Sequence, residues 1–132
     1  MSRGQQIGVL AIAALFLTSG ICHFLLTPFF VAIMPPYLPW HRAAVYVSGV
    51  FELAGALGLL MARTRRAAGL GLFLLTILVT PANVHMALHP ELYPAFSETA
   101  LILRLPAQAM LLALIYYAAI RPPHEGAVPR ST

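Results

Sequence analysis

The sequence predicts an all-α membrane protein: a four-transmembrane-helix bundle with an interfacial proline-rich loop between helices one and two. Composition points there first. The 132 residues are 60% hydrophobic and only 9% charged, with a mean hydropathy of +0.82. A soluble domain carries about 25% charged residues, so this chain has too little polar surface to cover itself in water. Apolar runs of about twenty residues, enough to cross a bilayer, recur at about 7–26, 43–61, 67–88 and 100–120. The arginines gather at alternate ends of those runs. The net charge of +4 is therefore a topology signal and not a nucleic-acid footprint, since lysine is absent and the eight arginines form no single patch.

The first run follows a short polar leader, MSRGQQ. It reads as an uncleaved spanning helix. The apolar stretch is too long for a signal peptide and ends in His23 and Phe24, with no small-residue cleavage site. Ile21 is too bulky beside Cys22 for a lipoprotein site. Ser19, His23 and Thr27, four apart, share a face. Cys22 is the one cysteine, which excludes an internal disulfide or a Cys-x-x-Cys pair and leaves it to pack as a small hydrophobe.

Residues 28–42 contain four prolines, too many for a continuous helix. The Phe-Phe-Val-Ala-Ile run after Pro28 suits a brief interfacial helix or re-entrant turn, with Tyr37 and Trp40 at headgroup level. The second spanning helix carries Ser48, Glu52, Gly55 and Ala56 as a small-and-polar stripe, and Ala54 with Gly58 as a close-packing pair. A basic turn, ARTRR, leads into the third. Pro81 should kink that helix, because the Ile77 carbonyl loses its donor. Thr76, Thr80 and Asn83 line one face of it, with His85 and His89 nearly opposite. After a proline-broken loop, the last helix places Arg104 and Gln108 on one face. Residues 1–120 thus form one transmembrane domain. The tail at 121–132 is Pro-rich and charged, which predicts a disordered cytoplasmic segment.

Four crossings put Arg3, Arg63, Arg65, Arg66, Arg121 and Arg130 on one side and leave Arg42 and Arg104 on the other. The positive-inside rule then places both termini in the cytoplasm and the proline-rich loops outside. At 1.5 Å per residue, His23, Glu52, Asn83, His85, Arg104 and Gln108 all fall in the outer half. An ionisable group at the bilayer centre costs roughly 2.5–3.5 kcal/mol on insertion scales. Glu52 therefore needs a partner, and Arg104 is the economical choice, supported by Gln108 and Asn83. Two readings of that pair stay open: a clamp between helices two and four, or the floor of an outward-facing pocket. The pocket reading adds His23 to the lining, closes the mouth with the Pro35–Trp40 loop, and has Ser48, Gly49 and Gly55 leave room beside Glu52. Its occupant would be a quinone head group, a lipid head group or another polar-headed amphiphile. Ser48, His85 and Trp40 are secondary candidates. A metal is not expected: His85 and His89 have chelating i, i+4 spacing, but no thiolate pair or second acidic ligand lies nearby. His41 and His124 are expected to be solvated.

Several motifs occur in a set order: Gly20-x-x-His23-Phe24, Ile33-Met34-Pro35-Pro36-Tyr37-Leu38-Pro39, Ser48-Gly49-x-x-Glu52-x-x-Gly55, Pro81-Ala82-Asn83-x-x-Met86 and Arg104-Leu105-Pro106-x-Gln108. Together they resemble the DoxX-like family of small four-helix integral membrane proteins, over nearly residues 7–120. The resemblance implies a bundle in the bacterial inner membrane and a polar cluster of His23, Glu52, Asn83, Arg104 and Gln108. It further implies a non-catalytic accessory or subunit of a quinone-linked or thiol redox system. Quinone is the cofactor it suggests, and a redox-enzyme protein the partner beside the lipid bilayer itself; homo-oligomerisation is open. A membrane-protein assembly factor is the alternative, and a small-solute transporter a more distant one. With a single cysteine, any thiol chemistry would rest on the partner. Small multidrug exporters also use a lone intramembrane Glu, but Arg104 would neutralise it here. Disulfide-forming quinone reductases need cysteine pairs this chain lacks.

Overall fold

A computed structural model describes residues 1–122; the expected tail lies, from residue 123 onward, outside the described residues. Six α-helices follow one another: α1 (Arg3–Leu25), α2 (Thr27–Ala32), α3 (His41–Leu60), α4 (Arg65–Leu78), α5 (Thr80–Leu88) and α6 (Glu98–Ile115). The last continues as a wider π turn, Tyr116–Ile120. No strand occurs among the described residues. Four helical stretches are long and apolar enough to cross a membrane: Arg3–Leu25, His41–Leu60, Arg65–Leu88 and Glu98–Ile120. That matches the four runs expected.

All four begin a few residues earlier than expected, two of them under polar caps. Ser2 accepts from the Gln5 amide at 3.1 Å while Gln5 Oε1 accepts from the Ser2 amide at 2.9 Å, a reciprocal box that starts α1 at Arg3. Ser97 accepts from the Ala100 amide and starts α6 at Glu98. The proline-rich stretch forms one short helix, α2, as expected, and then a loop. His41, expected to be solvated, instead donates from Nε2 to the Pro35 carbonyl at 3.1 Å and closes that loop. The chain enters α3 through Trp40 in the left-handed region (φ 51°), with its side chain 82% exposed.

The third span breaks at Val79, two residues before Pro81, which divides it into α4 and α5. Pro106, by contrast, sits inside α6 without ending it. One turn before the break, the Thr76 carbonyl accepts from the side chains of Thr80 and Gln108. Neighbouring side chains commonly satisfy carbonyls at such breaks in apolar helices.

Close helix approach depends on glycines at defined points. A Cβ at Gly55 would stand 2.6 Å from Leu72, and one at Gly58 would stand 2.8 Å from Ala68, so α3 and α4 meet through them. A Cβ at Gly49 would stand 2.8 Å from the His23 Cβ, so α1 and α3 meet there. Gly49 and Gly55 are thus occupied by neighbours and do not leave room beside Glu52. Ala54 is exposed and does not pair with Gly58 in the packing.

Two dry clusters result. Val9, Ile12, Phe16, Ala56, Leu59, Leu72 and Ile115 fill the half of the bundle near the ARTRR turn, called the basic end. Met86, Tyr93 and Leu101, with Ile33 and Phe96 against them, fill the loop end. A polar layer lies between them.

Candidate functional site

That layer is built from side chains at helical spacing on all four spans. Gln108 of α6 is its hub and is 92% buried. Its Nε2 donates to the Thr76 carbonyl at 2.8 Å and to the Thr80 hydroxyl, and its Oε1 accepts from Asn83 Nδ2. The Thr76, Thr80, Asn83 face read from the sequence is therefore the face that meets α6, on both sides of the Val79 break. Gln108→Leu should lower stability by about 2 kcal/mol, since interhelical hydrogen bonds in membranes average about 0.6 kcal/mol and reach about 1.7. Thermal unfolding in mild detergent measures it; an unchanged Tm would mean the hydrogen bonds carry no net weight.

Beside this hub lies a cavity of about 380 Å³. Its polar lining is Ser19, Glu52, Thr76, Asn83, Arg104 and Gln108; its apolar walls come from Leu15, Phe16, Leu75, Val79, Ala107 and Leu111. Of the expected site residues, the structure brings Glu52, Asn83, Arg104 and Gln108 to one cavity. His23 stands behind Glu52 and does not line it. Ser19 was missed as a lining residue, although its i, i+4 spacing to His23 put it on the same face.

The expected Glu52–Arg104 ion pair does not form. Glu52 faces His23 instead, with Nδ1 and Oε2 3.6 Å apart. The reason is local: the glycine contact between α1 and α3 brings His23 within reach of Glu52 from one turn away, whereas Arg104 projects elsewhere. The Arg104 guanidinium lies 5.9 Å from the centre of the Phe96 ring and makes no hydrogen bond among the described residues. Phe96 in turn contacts Phe29 of α2, with ring centres 5.8 Å apart. The aromatic cover over Arg104 thus comes from the segment before α6, and no residue of the Pro35–Trp40 loop lines the cavity.

His23 is fixed on two sides. Its Nδ1 is 2.8 Å from the Ser19 carbonyl, which can only accept, so Nδ1 carries a proton. Its ring stacks on Phe30 at 4.1 Å between centres. That proton is already engaged, and 3.6 Å is too long for a second hydrogen bond. Glu52 Oε2 is accordingly buried with no hydrogen-bond partner among the described residues. An unmatched buried acceptor is costly. Glu52 and Arg104, the latter without a hydrogen bond among the described residues, line the same cavity, which suits a molecule that both donates and accepts.

The secondary candidates lie elsewhere. Ser48 bonds back to the Val45 carbonyl at 3.0 Å and faces a different groove, between α3 and α4. Trp40 is an exposed residue of the loop end. His85 is an anchor: its Nδ1 is 3.2 Å from the Tyr93 hydroxyl, and its ring meets Tyr37 edge-on at 5.3 Å. His89 stacks on it at 4.5 Å. No group of three metal-ligating side chains occurs among the described residues.

Burial, and secondly the nearby Tyr37 phenol, pushes the Tyr93 hydroxyl above its ordinary value. A raised value favours the protonated fold, so this stability is complete below the unfolded value of about 10 and is lost as pH rises through the folded one. Alkaline titration should loosen the loop-end cluster in the wild type and not in Tyr93→Phe, read by near-UV circular dichroism. Identical alkaline profiles would show that Tyr93 is not responsible.

No curated protein and no solved structure matches the chain. A family model does match it, over residues 12–119, a stretch that includes every residue of the cavity. The chain belongs to the family described as Domain of unknown function (DUF8561).

Proposed function

We propose that the chain is a DoxX-like inner-membrane protein of bacteria, an accessory or subunit of a quinone-linked or thiol redox system, and that its cavity holds the head group of a quinone. The observation that carries this reading is that Glu52, whose Oε2 is buried without a hydrogen-bond partner among the described residues, lines one cavity with Arg104. A quinone carbonyl accepts from Arg104 or Asn83, and the hydroxyl of its reduced form donates to Glu52. Mostly apolar walls with a few convergent polar groups are typical of such sites. Thiol chemistry, if the system uses it, belongs to a partner, since Cys22 is the one cysteine.

Arginine placement supports the orientation. Arg3, Arg63, Arg65, Arg66 and Arg121 lie at the basic end, which the positive-inside rule puts in the cytoplasm. The cavity then belongs to the outer half of the bilayer. Reporter fusions after Arg66 should report cytoplasm, and fusions near Tyr37 and Tyr93 the periplasm; a periplasmic signal from the ARTRR turn would reverse the orientation. For the ligand, quinone extracted from the detergent-purified protein should fall about tenfold in Glu52→Met and in Arg104→Gln. Equal quinone in both variants and wild type would sink the reading.

A further inference from the structure

A recess larger than the polar cavity lies elsewhere. A groove of about 750 Å³ runs along the outside of the bundle between α3 and α4. Ala54, Gly55, Gly58, Ala67, Ala68 and Gly71 keep its floor shallow in side chain, while Leu57, Leu74 and Leu78 stand along its rims. A Cβ added at Gly71 would meet nothing within 4 Å, so this part of the groove is open space and not packing. At its basic end the groove finishes on Met61 and on Thr64 of the ARTRR turn.

The three arginines there are not equivalent. Arg65 is turned into the bundle, donating from Nε to the Leu59 carbonyl at 2.8 Å and from Nη1 toward Met1 Sδ at 3.6 Å. Arg66 lines a separate cleft beside Ala118 and Ala119. Arg63 is exposed, precedes the groove residue Thr64 in the chain, and makes no hydrogen bond among the described residues. The first turn of α4 begins at the same place, and its positive dipole end adds to the attraction for an anion.

We propose that this groove is a seat for an anionic phospholipid, its acyl chain lying along α3 and α4 and its phosphate on Arg63. The inference rests on the reading that these helices span a membrane. Dimensions agree: half a hydrocarbon core is about 15 Å, the rise of about ten helical residues, which is the distance from Met61 back to Phe51 along the groove. Charge selects the lipid over a second copy of the chain. Two copies paired symmetrically in the membrane through this groove would bring their ARTRR turns together, and facing like charges oppose association. An anionic head group meets the same arginines favourably, by roughly fivefold in affinity per basic residue near the surface.

Native mass spectrometry of the detergent-purified protein, titrated with phosphatidylglycerol and phosphatidylcholine of equal chain length, tests this. Wild type should retain phosphatidylglycerol at least fivefold better. Arg63→Gln should remove that preference and leave phosphatidylcholine retention alone. Gly71→Leu, which fills open space and should keep the wild-type Tm, should reduce retention of both lipids at least fivefold. An unchanged preference in Arg63→Gln, or unchanged retention in Gly71→Leu, overturns the proposal. So does efficient disulfide dimerisation of a Gly71→Cys variant, which would assign the groove to a second copy. Release of the chain from vesicles by alkaline carbonate would overturn the membrane reading itself; membrane retention with no lipid preference overturns only the lipid seat.

Discussion

His23→Ala is expected to destabilise the folded chain by about 3 kcal/mol or more, and Glu52→Met introduced with it to recover part of the loss. The cost has two sources. Removing the imidazole empties the space between Phe30 and Gly49, a large-to-small loss of about 2 kcal/mol or more. It also leaves the buried Glu52 carboxyl without the imidazole it faces, and an uncompensated buried polar group costs about 1–3 kcal/mol. The Glu52 side chain keeps 12% of its surface exposed, so the lower end applies here. Glu52→Met alone removes an unmatched acceptor and should be neutral or stabilising by about 1–2 kcal/mol, while lowering quinone retention about tenfold. That combination, no less stable but poorer in bound quinone, is the mark of a residue kept for binding. The same cycle run on Glu52 and Arg104 should be additive within about 0.5 kcal/mol. Coupling in the second cycle and none in the first would restore the ion pair that the structure replaces with His23.

Gly49→Leu should prevent stable assembly of the bundle, with Gly49→Ala already costing about 1–3 kcal/mol. Even the single methyl would stand 2.8 Å from the His23 Cβ and 2.9 Å from Phe24 Cε2. On the facing helix, Gly20 leaves no more room: its Cβ would meet Leu53 at 2.8 Å and the Gly49 carbonyl at 3.1 Å. Neither helix can move aside without opening the contact that aligns His23 with Glu52. Gly71→Ala is the matched control. It meets open space and should be neutral or more stable by about 0.5–1 kcal/mol through helix propensity. Urea or thermal unfolding of the purified proteins compares the two. Equal tolerance at Gly49 and Gly71 would mean that α1 and α3 do not pack as described.

Pro81 and Gln108 show how much of this was readable in the chain. A proline deep in an apolar run has few outcomes, because it lacks a donor whatever surrounds it, and the span does break just before it. The Thr76, Thr80, Asn83 face follows from the 100° step alone, and its meeting with Gln108 required only that the two helices be neighbours. The motifs that resemble DoxX-like proteins pointed to the same polar residues, four of which line the cavity. Ser48 shows the limit. It lies one turn from Glu52 and looked like part of the same stripe, yet it faces the α3–α4 groove. Periodicity assigns residues to a face of a helix and does not say where one neighbour ends and the next begins.

By itself the sequence determined four helical stretches long and apolar enough to cross a membrane, the interruption of the third just before Pro81, the short helix in the proline-rich stretch and the faces that carry the polar residues. Each follows from quantities local to the chain: run length, the missing proline donor and a fixed rotation per residue. Only the tertiary structure decided which charge Glu52 meets. Arg104 and His23 lie at comparable depth, and depth cannot choose between them. The choice turned on how closely α1 approaches α3, which Gly20 and Gly49 set across the interface, and on the Phe96 ring that holds Arg104 away. Those are distances between elements, and a linear pattern carries no information about them until the helices are packed.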